Sequence, residues 1–211
     1  FVKDQIDKRP HQPPFGTTLI PLPNLELPKP SSRIAEQSDS LNCLFIGRIR
    51  PYKGLGLLLD ALSLASNSRP GIRLTIAGEG NMAQLSDKLR QLPSIDIHNR
   101  WLSDHEFADL LHRHDVIVLP YLEATQSGVI AAAFGAGKPI IAFAVGGVTE
   151  QVRHGTNGLL VEDKSAEGLA RTLLQLADDE NLLRRLKIGA KNQRATHTTW
   201  EDSAASVTHL C

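Results

Sequence analysis

The sequence predicts an α/β fold, a doubly wound parallel sheet with helices on both faces. Three features predict it. From Leu41 onward, short apolar runs alternate with amphipathic stretches, the pattern of repeated strand–helix units. One run, Val116-Ile117-Val118-Leu119, has no polar residue, as suits a strand buried on both faces. Glycine turns recur where a run gives way to a helix, at Gly47, Gly78, Gly128 and Gly146. Strand order is not readable from such a pattern.

Residues 1–40 stand apart. Pro10, Pro13, Pro14, Pro21, Pro23, Pro28 and Pro30 are seven of the twelve prolines. Each removes a backbone donor and restricts the residue before it, so the stretch cannot stay helical or form a central strand. It reads as an extended connector, with a disordered N-terminal arm as the plainer alternative. The chain opens on Phe1 rather than Met, with no signal-peptide pattern, which suggests a processed or excised piece of a longer protein.

Residues 41–211 carry the folded domain. Strands are predicted at 43–46, 72–77, 95–97, 116–119, 140–143 and 159–161. The first helix, 54–65, places Leu55, Leu58, Leu59, Leu62 and Ala65 on one face at spacings of three and four. The second, 81–91, closes before Pro93. Ser103 and Glu106 form a capping box that opens the third, with Phe107, Leu110 and Leu111 inward. A small-residue helix at 129–136 can pack closely on the sheet. Helices at 165–177 and 180–191 follow, with a further one at 201–210.

Composition narrows the function classes. The 211 residues hold 41% hydrophobic and 22% charged side chains, the make-up of a globular protein with a real core. Lys and Arg number 23, as do Asp and Glu, so no basic field points to nucleic acid. No apolar run approaches the ~18 residues of a membrane span. Cys43 and Cys211 make neither a metal spacing nor a disulfide framework, so a reducing, cytoplasmic setting is expected. His112 and His114, two apart, fall on different helix faces, and His98 and His105 stand alone. Each histidine reads as a surface or capping residue, and no metal site is expected.

In an open parallel sheet, ligands sit beyond the carboxyl ends of the strands. The first such loop is Gly47-Arg48-Ile49-Arg50-Pro51-Tyr52-Lys53-Gly54. Its three cations stand at a helix N-terminus, where the dipole is also positive. A bound phosphate would resolve that repulsion; a solvated basic loop is the alternative. The second, Gly78-Glu79-Gly80-Asn81-Met82-Ala83, matches a dinucleotide-type G-x-G-x-x-A, but it follows the second strand rather than the first. A tight glycine turn is favoured there. The third crowds Glu123, Thr125, Gln126 and Ser127 at the end of the apolar strand. Ser127 is placed to cap the next helix, and Gly128 lets a ligand approach the backbone. No Gly-x-Ser-x-Gly context surrounds Ser127, so a serine hydrolase is not expected.

Taken in order, these pieces resemble the donor-binding half of a glycosyltransferase family 4 enzyme of the GT-B fold. They are Phe45-Ile46-Gly47-Arg48, Lys53-Gly54, Leu74-Thr75-Ile76-Ala77-Gly78-Glu79-Gly80 and Leu119-Pro120-Tyr121. Gln126-Ser127-Gly128-Val129, Gly137-Lys138-Pro139, Gly146-Gly147, Glu150 and Asn157-Gly158-Leu159-Leu160-Val161 complete the series. The resemblance implies a Rossmann-like domain, the C-terminal half of such an enzyme. Residues 1–40 become the interdomain linker or a remnant of the N-terminal domain, and residues 41–211 bind the nucleotide-sugar. The acceptor-binding N-terminal domain would be missing, leaving the isolated chain inactive.

By the same resemblance, Gly47, Arg48 and Lys53 bind the donor diphosphate. Gln126, Ser127, Gly128 and Val129 hold its sugar and phosphates, and Gly78, Asn99 and Arg100 flank the base. The implied activity is retaining, metal-independent hexosyl transfer from a UDP- or GDP-sugar, without a cofactor, in polysaccharide or glycoconjugate synthesis. The family motif has two glutamates, which should fall here at Ala124 and Ala132. Glu123, one position early, is the candidate catalytic carboxylate, and the second glutamate has no replacement. A catalytically silent nucleotide-binding module and a nucleotide-sugar epimerase of the same fold are the alternatives.

Overall fold

The run Val116–Leu119 is a central strand, and all four of its side chains are buried. The computed structural model describes residues 27–28, 40–92 and 95–196. Among them, β1 (Leu41–Ile46), β2 (Ile72–Ala77), β3 (Ile95–His98), β4 (Val116–Leu119), β5 (Ile140–Phe143) and β6 (Gly158–Val161) form one sheet. Its order is β3-β2-β1-β4-β5-β6, and every pairing is parallel. β1 pairs with β2 along its whole length, from Leu41↔Ile72 to Ile46↔Ala77, and with β4 at Cys43↔Val116 and Leu44↔Ile117.

Seven helices are described: α1 (Leu55–Ser68), α2 (Ser86–Arg90), α3 (Asp104–Arg113), α4 (Gly128–Gly135), α5 (Val148–Gln151), α6 (Ala166–Asp178) and α7 (Glu180–Thr196). α1 buries Leu55, Leu58, Leu59, Leu62 and Ala65, the face its spacing predicts, together with Ala61. It packs on α6, and Arg69 and Asp178 join their ends at 3.0 Å. Each Leu buried this way contributes roughly 1.5–3 kcal/mol. The small residues of α4 let it sink into the core, with Ile130 to Gly135 all buried. α7 packs against it. The capping box of α3 forms as predicted, with Glu106 N–H donating to the Ser103 hydroxyl and Ser103 N–H to Glu106 Oε2.

The helix predicted at 81–91 is shorter than expected. The Asn81 side chain accepts from Ala83 N–H at 2.9 Å. That local turn competes with helix, so residues Ala83–Leu85 form a 3-10 turn and α2 begins only at Ser86. The helix predicted at 201–210 and most of the connector 1–40 lie outside the described residues. Of that connector, Leu27 packs against the core.

The N-terminal edge of the sheet is stitched by charge. Asp115 accepts from Asn42 N–H at 3.0 Å and Asn42 Nδ2 at 3.1 Å, and Lys187 of α7 lies 2.7 Å from its other oxygen. Burial works against the Asp115 carboxylate, but the Lys187 and Asn42 hydrogen bonds outweigh it and hold the carboxyl below its ordinary value. Lys138 nearby donates to His112 O at 2.8 Å. Burial, then the charge of Lys187, brings its ammonium down to about 8.

Candidate functional site

The strand order places a switch point between β1 and β4. From β1 the chain runs toward β2, and from β4 it runs the opposite way toward β5. The two loops diverge and leave a crevice at the carboxyl ends, where ligands of open α/β sheets bind. The loops touch at their base. Gly54 has φ 70°, and a Cβ there would lie 1.9 Å from Pro120 O, so only glycine fits. Leu122 N–H donates to Tyr52 O at 2.8 Å. On the other side, a Cβ at Gly78 (φ 133°) would lie 2.2 Å from Gly47 O. The Gly78-x-Gly80 pair therefore serves loop packing, as the tight-turn reading has it.

The residues predicted to hold a diphosphate converge here. A Cβ on Gly47 would lie 3.3 Å from Lys53 Nζ and 3.5 Å from Val129 Cγ2. Gly47, Lys53 and the start of α4 thus meet, although they come from two separated loops. Lys53 Nζ donates to the Tyr121 hydroxyl at 2.9 Å and lies 4.4 Å from the centre of that ring. Burial holds the Lys53 ammonium below its ordinary range, and the nearby Arg48 pushes the same way. Among the described residues, no carboxylate pairs with either cation. Positive charge gathered this way favours an anion.

A cavity of about 710 Å³ opens beside them. Gly47, Arg48, Gly78 and Arg100 line it, and Leu27, Pro28, Trp101 and Phe107 give it an apolar wall. That mix of flat apolar surface and a few polar groups suits a small molecule. The Arg100 guanidinium lies 2.5 Å from Glu106 Oε1 and also donates to Trp101 O. The Arg100 bond, then those from Ser103, hold the Glu106 carboxyl down to about 2. Asn99 is occupied otherwise: its amide accepts from Gly80 N–H at 3.0 Å and donates to Gly80 O at 3.1 Å. It braces the β2 loop beside the cavity.

The loop after β4 is split in its exposure. Glu123, Gln126 and Gly128 are exposed, while Ser127 is buried. A Cβ on Gly128 would meet nothing within 4 Å, so the backbone there faces open space. Ser127 holds the N-cap position of α4, but its hydroxyl makes no bond to the helix, unlike the predicted cap. It acts on Tyr121 instead, pulling that phenol down against the burial that raises it. Its N–H donates to Gln151 Oε1 at 3.2 Å, which ties the loop to α5. Ala132, where the second family glutamate should fall, is fully buried in α4.

Sequence reasoning missed the roles of Tyr121 and Gln151, each of which contacts a residue far away in the chain. A tyrosine two residues past the end of a buried strand was the one available signal. Of the histidines, His114 departs from the surface-or-cap expectation only in depth. It ends α3 but is buried, with its ring nitrogens 2.6 Å from Leu110 O and 2.7 Å from Thr75 Oγ1. Among the described residues, no three metal-ligating side chains cluster, and no helix is long and apolar enough to cross a membrane.

The fold has relatives among known proteins. The chain is 28% identical to the D-inositol 3-phosphate glycosyltransferase of Thermobispora bispora, over 95% of this chain and 51% of that protein. It is 33% identical to the enzyme of the same name from Pseudarthrobacter chlorophenolicus, over 79% of this chain and 41% of that one. The chain thus spans about half the length of the curated relatives it matches. Its fold aligns with Anabaena HepE in complex with UDP at a TM-score of 0.72 and 20% identity, over 82% of this chain and 48% of that one. The sheet is Rossmann-like, as in GT-B glycosyltransferases. The model of the family described as glycosyl transferases group 1 matches residues 40–179, and the chain belongs to that family.

Proposed function

We propose that this chain is the donor-binding domain of a retaining family 4 glycosyltransferase, which transfers a sugar from a UDP- or GDP-sugar to an acceptor held by an N-terminal domain. The observation that carries the reading is Lys53 at the switch point beside Gly47 and the start of α4, with Arg48 lining the cavity next to them and no carboxylate among the described residues paired with either cation. A nucleoside diphosphate supplies the missing counter-charge. Its phosphates would lie over Gly47 and the start of α4, and its base in the cavity beside Gly78 and Arg100. Structures of HepE with UDP and with UDP-glucose support the ligand class.

The chemistry follows from charge. As the glycosidic bond breaks, the leaving diphosphate gains negative charge. Arg48 and Lys53 are already in place to stabilise it, so no reorganisation is needed at that moment. In this reading they take the electrostatic part that a metal ion plays in other transferases. Glu123, exposed at the end of β4, faces the donor sugar and is the candidate catalytic carboxylate.

One observation favours a second reading, a nucleotide-binding module without catalysis: Ala132 is buried where the family has its second glutamate. The two readings part in experiment. UDP and GDP, each titrated into the chain beside the corresponding nucleoside, should show binding that depends on the phosphates. A longer protein carrying the acceptor domain should then transfer sugar, and its Glu123→Gln variant should not. Diphosphate binding without transfer by the longer protein would select the silent module. No phosphate-dependent binding would refute both.

A further inference from the structure

We propose that Tyr121 is a positioning residue for the donor diphosphate: its phenol holds the Lys53 ammonium at the anion site without cancelling its charge. The inference rests on the diphosphate reading of Arg48 and Lys53. Tyr121 is 2% exposed, and a buried phenol oxygen needs a hydrogen-bond partner. Among the described residues, Lys53 Nζ donates to it at 2.9 Å. The ring lies 4.4 Å from the same ammonium, and Tyr52 packs edge-on against it at 6.5 Å.

Three consequences follow. An ammonium has three donors; Tyr121 takes one and leaves two for phosphate oxygens. Burial pushes the phenol up to about 12, with Ser127 pulling weakly the other way, so Tyr121 stays neutral near pH 7. A neutral acceptor fixes where the charge sits while leaving its field intact, whereas a carboxylate there would compete with the ligand. Tyr121 stands on the loop after β4, so its bond with Lys53 ties the β1 loop to the segment that leads into α4.

The test is a cycle of Tyr121→Phe, Lys53→Ala and the double variant. UDP and GDP are titrated into each, with uridine and guanosine as phosphate-free controls. Phe keeps the ring and removes only the hydroxyl. Loss of one such hydrogen bond should weaken diphosphate binding about two- to tenfold, with the nucleosides unaffected. In the Lys53→Ala background the same change should cost nothing further, because Tyr121 acts through Lys53. A Tyr121→Phe chain that binds diphosphate like the parent overturns the proposal. So does an equal loss in the Lys53→Ala background, which would mark a packing role. If Lys53→Ala itself leaves binding unchanged, the diphosphate reading fails and takes this proposal with it.

Discussion

At the N-terminal edge of the sheet, Lys187 lies 2.7 Å from the Asp115 carboxylate, and Asn42 completes the acceptor's shell. At the opposite edge, Lys53 donates to an uncharged phenol 2.9 Å away, the charge of Arg48 acts on it, and no carboxylate among the described residues pairs with it. Both lysines are half-buried and both are held by specific hydrogen bonds. They differ in compensation. The Lys187 pair closes on itself and fastens α7 to the sheet. Arg48 and Lys53 have no carboxylate partner among the described residues, and in the proposed reading a ligand completes their charge. On that reading one end of the sheet is organised for stability and the other for binding.

The largest effect should come from the joint between the β1 and β4 loops. Gly54→Ala places a Cβ 1.9 Å from Pro120 O at a φ of 70°. Backbone must move, at a cost of roughly 3 kcal/mol. Denaturant unfolding should show that loss, and diphosphate binding should fall with it, because stability and site meet at this residue.

Asp115→Ala should separate the two ends. It strands Lys187 and the Asn42 N–H, which should cost about 2–3 kcal/mol. Diphosphate affinity at a temperature where the variant stays folded should match the parent. The pH dependence has a definite sign. The Asp115 carboxyl is held below its ordinary 3.8, so its contribution is present above that value and is lost as pH falls through the lowered one. Unfolding curves of Asp115→Asn should therefore lose part of the acid limb below about pH 4. An unchanged limb would assign it to other carboxylates.

How far this contrast is legible in the sequence depends on distance along the chain. Val116–Leu119 announces a buried strand because four apolar residues stand together, and α1 announces its face through Leu55, Leu58, Leu59 and Leu62. The cations Arg48 and Lys53 are readable because they sit five apart between a strand and a helix. Tyr121 as the partner of Lys53 is not, since their meeting depends on β1 lying next to β4, and strand order has no local signature. Lys187 and Asp115 are hidden for the same reason, because tertiary packing alone brings α7 to that edge. The shortened helix after β2 is a local miss. Leu85 and Leu89 have helical spacing, but the Asn81 side chain accepts from the Ala83 N–H first.

A smaller effect is expected from Glu123→Gln. The carboxylate is exposed, and this change removes its charge while keeping its size. Nucleotide-sugar binding should weaken a few-fold, within the roughly 0.5–1.5 kcal/mol of one hydrogen bond, and plain diphosphate binding should stay the same. Equal losses for both ligands would place Glu123 at the phosphates instead of the sugar.

The central claim is that Arg48 and Lys53 together hold a diphosphate at the open end of the sheet. Calorimetric titration of UDP and GDP into Arg48→Ala, Lys53→Ala and Arg50→Ala tests it most directly. A hydrogen bond to a charged group contributes roughly 1.5–3 kcal/mol. Arg48→Ala and Lys53→Ala should therefore each weaken binding at least tenfold, with Arg50→Ala costing less and the melting temperature of Arg48→Ala unchanged. Parent-like affinity in both Arg48→Ala and Lys53→Ala would contradict the account and put the phosphate site elsewhere.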